Sequence, residues 1–401
     1  LAAEGVRNSG WGDRGDAPFT PLAGPRAGGD DGRAARDLPA EDVGRLVDAL
    51  AVSDPCVREI AVRVLALQRD ERIAAPLVAR LGAQDPATRS VAALGLGLAG
   101  VDSAVAPLIA ALRDDAVAVR GNAAWALGRI ENGRALAPLL ALVRDGDATV
   151  REAVVGAIGR IDSARSTAVL LEVLAKDESP RVRRVAAWSL GESEAREAVG
   201  GLSAALRSDR DAGVREMAAW ALGEIEDRGS TTALVAALKG DADEKVRETA
   251  AWALGQVEDR SSLAALGEAV AGDASARVRR TAAWAIGQVG DDDASAPPGL
   301  LRALGDSSVE ARLMGAWALG QLRDAAAVPA LRQALPRERD ERVRRAMVRA
   351  LLKSGERSEG AMRELLESKD PQVREAAVMG LAGRSRPDPW PMPMPRPRPF
   401  P

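Results

Sequence analysis

Val214-Arg215-Glu216-Met217-Ala218-Ala219-Trp220-Ala221-Leu222-Gly223 returns thirty-two residues later as Val246-Arg247-Glu248-Thr249-Ala250-Ala251-Trp252-Ala253-Leu254-Gly255. The arginine of this phrase falls at Arg58, Arg89, Arg120, Arg151, Arg183, Arg215, Arg247, Arg279, Arg312, Arg344 and Arg374, in steps of 30 to 33 residues. Eleven copies at so even a period define stacked helical hairpins. A unit this short cannot bury its apolar face alone, so neighbours must share one thin core.

Each unit reads alike. In residues 102–130, Val105, Leu108, Ile109 and Leu112 stand at helical spacing and predict a first helix from Ala104 to about Arg113. Asp114 and Asp115 break it, and a second helix follows from Val117 to Ile130. Asp54-Pro55, Asp85-Pro86 and Asp370-Pro371 each place a capping carboxylate before a proline at the first helical position. The glycines of the Leu-Gly pair (Gly128, Gly159, Gly191, Gly223, Gly255, Gly287, Gly320) are expected to close the second helices.

Composition agrees. Aromatic residues make up 2% of the 401-residue chain, so the core is Ala, Leu and Val, as thin helix layers require. Charged residues reach 28% but the formal net charge is -3, with the signs interspersed, which gives no basic stripe for nucleic acid. No apolar run is long enough to span a membrane. Cys56 is the single cysteine, so no intrachain disulfide can form and the compartment stays open. The start at Leu1, with no charged-then-apolar leader, suggests a processed or truncated chain.

The phrases at 214–223 and 246–255 resemble the HEAT-like repeats of the phycobilisome-lyase type, which are widespread in bacterial proteins. The resemblance covers roughly residues 41–383. It implies an all-α, α/α superhelical solenoid of about eleven helical hairpins, with second helices lining a concave side. The first copy (Val57 to Ala66) and the tenth (Val343 to Leu352) lack the Trp and the Leu-Gly ending, as capping repeats would. Three segments follow: a disordered linker over 1–38, the repeats over 39–383, and a tail over 384–401. Alternate prolines from Pro387 to Pro401 predict polyproline II for the tail.

The repeated arginines usually have an aspartate four to six residues before them (Asp54, Asp147, Asp211, Asp243, Asp340, Asp370). A structural ladder is expected: the Asp caps the helix, and the Arg packs between repeats and bonds a neighbouring loop or carboxylate. The tryptophans Trp125, Trp188, Trp220, Trp252, Trp284 and Trp317 share one repeat position, which Gly156 interrupts. On a helical wheel the core stripe of one copy is Val214, Ala218, Ala221, Leu222 and Ile225, and Trp220 lies about 140° from its centre. Its flanks are Glu216 and Glu224; the flanks of Trp252 are Glu248 and Gln256, and those of Trp284 are Arg280 and Gln288. These residues are therefore predicted to face away from the core, on the side that the resemblance makes concave. Either the indoles fill the groove between second helices, or they form a ladder that a partner contacts.

Without histidine there is no Ser-His-Asp or Cys-His pair and no imidazole metal ligand. No Gly-rich phosphate loop occurs, and Asp291-Asp292-Asp293 matches no cation-binding loop. No catalytic, cofactor or metal site is expected. The leading expectation is a non-catalytic scaffold or regulatory module that binds a peptide or protein through Trp125, Trp188, Trp220, Trp252, Trp284, Trp317 and their polar flanks. An alternative is a sensing domain cut from a larger membrane-bound sensor peptidase, since an array with a Pro-rich, Arg-containing tail resembles the C-terminal portions of beta-lactam-receptor-type metallopeptidases. The resemblance also raises a bilin lyase-like role, and helical-repeat proteins of similar build raise DNA binding.

Overall fold

A computed structural model describes residues 38–66, 71–161, 163–290, 295–356, 358–369 and 371–381. Residues 1–37 of the linker expected over 1–38, the tail expected over 384–401, Asp291-Asp292-Asp293 and Asp370 lie outside the described residues. All regular structure among the described residues is helical, in consecutive pairs. The chain divides into two compact units between Ala195 and Arg196.

In the first unit the second helices are Pro55–Ala66, Pro86–Ala99, Val117–Ile130, Ala148–Ile161 and Pro180–Glu192. In the second unit they are Ala212–Ile225, Glu244–Val257, Ala276–Val289, Val309–Leu322, Glu341–Lys353 and Pro371–Leu381. Within each unit every second helix packs on its own first helix and on the second helices of neighbouring repeats. The helix predicted over 117–130 has those bounds. The first helix of the same repeat is shorter than expected: a 3-10 turn, Asp102–Ala104, leads into Val105–Ala111.

Caps follow from sequence. Asp85 accepts from the amides of Ala87 and Thr88, Asp243 from Lys245 and Val246, and Asp54 from Cys56. The core is aliphatic and thin. Leu222, Leu234, Leu254 and Leu266 are fully buried, each contributing about 2 kcal/mol by burial. In the first and last repeats Val57, Ile60, Leu366 and Val378 are exposed.

The Leu-Gly glycines do not close the second helices. Gly223 lies inside Ala212–Ile225 and Gly255 inside Glu244–Val257. The chain reverses three residues later, at Glu131, Glu226, Glu258 and Arg323, all with φ between 51° and 56°. Apart from Gly100, with φ 70°, non-glycine residues thus take the left-handed cap, and the glycines of the repeated phrase serve another purpose, close approach of the next helix.

Candidate functional site

The tryptophan positions correct the wheel reading. Trp220, Trp252 and Trp284 are 4%, 2% and 5% exposed, while Trp125, Trp188 and Trp317 are half-buried. The predicted core stripe is buried, but Met217, Ala219 and Trp220 are buried as well. A wheel assumes one covered face. A second helix in an array has three, because the preceding and following repeats cover its flanks.

Trp125, Trp252, Trp284 and Trp317 each have a socket in the preceding repeat, whereas Gly159 meets Ser189 rather than Trp188. A Cβ on Gly223 would stand 2.5 Å from Cζ3 of Trp252, and one on Gly255 would stand 2.6 Å from Cζ3 of Trp284. Trp317 presses on Gly287 in the same way, and Trp125 on Gly97. The glycine of one repeat therefore receives the ring of the next, and the helix backbones come together over Ala253 and Ala285. Where Gly156 replaces Trp, Gly128 meets Ala157 directly. Arg129 lies over the Trp125 ring at 5.4 Å and Arg160 over Trp188 at 5.6 Å. Of the two explanations open at the level of sequence, which do not exclude each other, the groove-filling one describes the packing of Trp125, Trp252, Trp284 and Trp317.

The polar flanks divide. Glu248 and Arg280 bond each other across repeats at 3.2 Å, and Thr281 donates to Glu248. Glu216 and Glu224 are half-buried. Gln256 is half-buried, Gln288 exposed, and Gln321, at the same repeat position, half-buried. Glu152, the counterpart of Glu216 in the first unit, is 5% exposed. Burial pushes its carboxyl up to about 7, against the opposing pull of Arg181 and Arg184.

The arginines form a clasp between repeats. Arg215 donates Nε and Nη2 to both carboxylate oxygens of Asp241, at 2.7 and 2.9 Å, and Nη1 to the carbonyls of Asp209 and Arg210. The same two-pronged bond joins Arg89 to Asp114, Arg120 to Asp145, Arg151 to Asp177, Arg247 to Asp273, Arg279 to Asp306 and Arg312 to Glu338. Arg183 donates Nη1 to the carbonyls of Asp177 and Glu178, Arg374 to that of Ser368, and Arg58 reaches Asp85 at 3.7 Å. Nε of Arg344 is buried without a partner.

The accepting carboxylate is not the capping aspartate that the spacing singled out. It sits 25 to 27 residues downstream, where it also accepts an amide of its own loop, as Asp241 does from Asp243. Its signal was legible: an acidic residue two before the helix cap in most copies. Arg89 holds the Asp114 carboxyl below its usual range by a hydrogen bond that outweighs desolvation. For Asp145, Asp241, Asp306 and Glu338 burial pushes upward, but the guanidinium and loop amides prevail and the carboxyls stay low.

The sequence profile of HEAT repeats matches residues 44–120, 105–191, 167–247, 231–297 and 297–382, and the chain belongs to the HEAT-repeat family. Among solved structures it is similar to importin beta in an ammonium sulfate condition, with 15% identity, 84% of this chain and 57% of that one covered, and a TM-score of 0.59. It is also similar to Kap95p in a structure with RanGDP, with 16% identity, 85% and 55% coverage, and a TM-score of 0.58. The chain thus spans about half the length of these two relatives. The CpcE–CpcF phycocyanin lyase complex of Nostoc sp. PCC7120 aligns at 21% identity over 67% of this chain and 97% of that one, with a TM-score of 0.37. Compared with curated proteins, the chain has no match.

Proposed function

We propose that the protein is a non-catalytic interaction module and that the second-helix layer of its second unit binds an extended segment of a partner protein. The observation behind this reading is the row Gln256, Gln288 and Gln321, one amide per repeat, four residues after Trp252, Trp284 and Trp317. A carboxamide offers one donor group and one acceptor, which matches the paired N–H and C=O of an extended backbone. Helices about 8–10 Å apart set the amides roughly three extended residues apart. HEAT-repeat relatives are known in protein complexes, Kap95p with RanGDP and with Nup1.

The tryptophans do not carry the contact in this reading, since they are structural. The discriminating variant is therefore Gln256→Ala, Gln288→Ala, Gln321→Ala. Peptides selected on the immobilised protein from a displayed library should lose about tenfold or more in affinity for this variant, while its helical circular dichroism is unchanged. Equal binding by both proteins would reject the amide row. The lyase-like role and the DNA-binding role each have a direct check, a bilin absorbance change and salt-sensitive DNA retention. The sensor-peptidase context is tested by the reading frame upstream.

A further inference from the structure

Repeats nine and ten part in the first-helix layer. The first helix of repeat nine, Pro298–Arg302, has 5 residues and passes into a 3-10 turn, Ala303–Gly305. That of repeat ten, Val328–Ala334, also ends in a 3-10 turn, Leu335–Arg337. A cleft of about 520 Å³ opens between them. Leu301, Leu304 and Ala334 give it an apolar floor, and Arg302, Arg337 and Arg339 stand on its rim, all three exposed.

Two carboxylates also line the cleft, and both are engaged. Asp306 takes the fork of Arg279, and Glu338 takes the fork of Arg312 together with the amides of Arg339 and Asp340. Arg302, Arg337 and Arg339 make no ion pair among the described residues. Arg302 is also peculiar to this joint: its position holds Ala205, Ala237 and Ala269 in the three preceding repeats. The position of Arg337 is basic in other repeats at Arg113, Arg144 and Lys176, and that of Arg339 at Arg210, so what belongs to this joint is the grouping of the three cations.

We propose that this cleft docks an acidic peptide segment of a partner protein, its carboxylates paired with Arg302, Arg337 and Arg339 and an apolar side chain set on Leu301 and Leu304. A guanidinium fork matches a carboxylate in two bonds. The resident carboxylates are already spent on the clasps and leave the rim positive. The apolar floor favours a peptide over nucleic acid, which would need a longer basic stripe than three residues on a chain of net charge -3. The cleft lies on the first-helix layer and is independent of the amide row.

The test is fluorescence anisotropy with a short fluorescein-labelled peptide of alternating Glu and Leu, at low salt, on the full chain. Saturable binding is expected, weakened about tenfold or more by Arg302→Glu and by Arg337→Glu and unchanged by Arg210→Glu, an exposed arginine at the repeat position of Arg339. Arg302→Ala and Arg337→Ala, checked by circular dichroism, guard against a folding defect and should weaken binding in the same order. Absence of saturable binding, an equal loss with Arg210→Glu, or equal binding of a Lys-Leu peptide would overturn the proposal. So would displacement of the Glu-Leu peptide by oligodeoxythymidylate at equal concentration, because the site would then be a general anion or nucleic-acid surface.

Discussion

Glycine in the middle of a helix ordinarily costs about 1 kcal/mol relative to alanine. Gly255 reverses that account, because an added methyl would press on the Trp284 ring and come within 3.1 Å of Cα of Ala285. Overpacking of this kind costs roughly 1–3 kcal/mol. Gly255→Ala should therefore lower the urea midpoint despite its better helix propensity. Gly320→Ala is the comparison: its Cβ would meet Cα of Ala350 at 3.3 Å with no indole in the way, since repeat ten has Arg349 at the tryptophan position. Its effect should be smaller or of opposite sign. If both variants destabilise equally, the socket is not what selects glycine. The sequence showed the Gly and the Trp but not that they belong to different repeats, because the contact between Gly255 and Trp284 spans almost a full period.

At the level of the element, a second helix is held at its N-terminus by a clasp that joins it to the following repeat. Asp241 and Arg215 are 8% and 16% exposed at their side chains. Removing the carboxylate by Asp241→Ala strands a largely covered guanidinium and should cost about 3 kcal/mol at pH 7. The sign with pH follows from the depressed carboxyl. Its folded value lies below the unfolded one near 3.8, so the contribution is complete above about pH 4 and is lost as pH falls through the folded value. The stability gap between Asp241→Ala and the parent should close below pH 4. A gap that stays constant with pH would show that lost packing, not charge, underlies it. Helix starts were legible because Asp, Ser and Pro act locally. Helix burial was not, because the coverage of Trp252 comes from a neighbouring helix that a single-helix wheel leaves out.

For the molecule, the period of the arginine fixed both the fold and the number of hairpins, since eleven evenly spaced copies admit no other core. The candidate site was less legible. The polar flanks of Trp252 and Trp284 looked alike in sequence, yet Glu248 and Arg280 turn to each other while Gln288 faces outward. The cleft of repeats nine and ten was missed, because nothing in the period announces a short first helix. Nearest-neighbour stacking makes stability a sum over joints, so a protein lacking residues 246–277, one period in length, should still fold. The check is a cooperative melt with helicity per residue unchanged; a molten or aggregated product would show that the joints are not equivalent.

That deletion brings out what the clasp means for the gene. Arg215 would keep Asp241, Arg279 would keep Asp306, and the discarded block would carry away Arg247 with Asp273, its own acceptor. Donor and acceptor are one period apart less a few residues, so excising or duplicating a whole period leaves no orphan on either side of the seam. Unequal crossing-over can then lengthen or shorten the array without an electrostatic penalty at the seam.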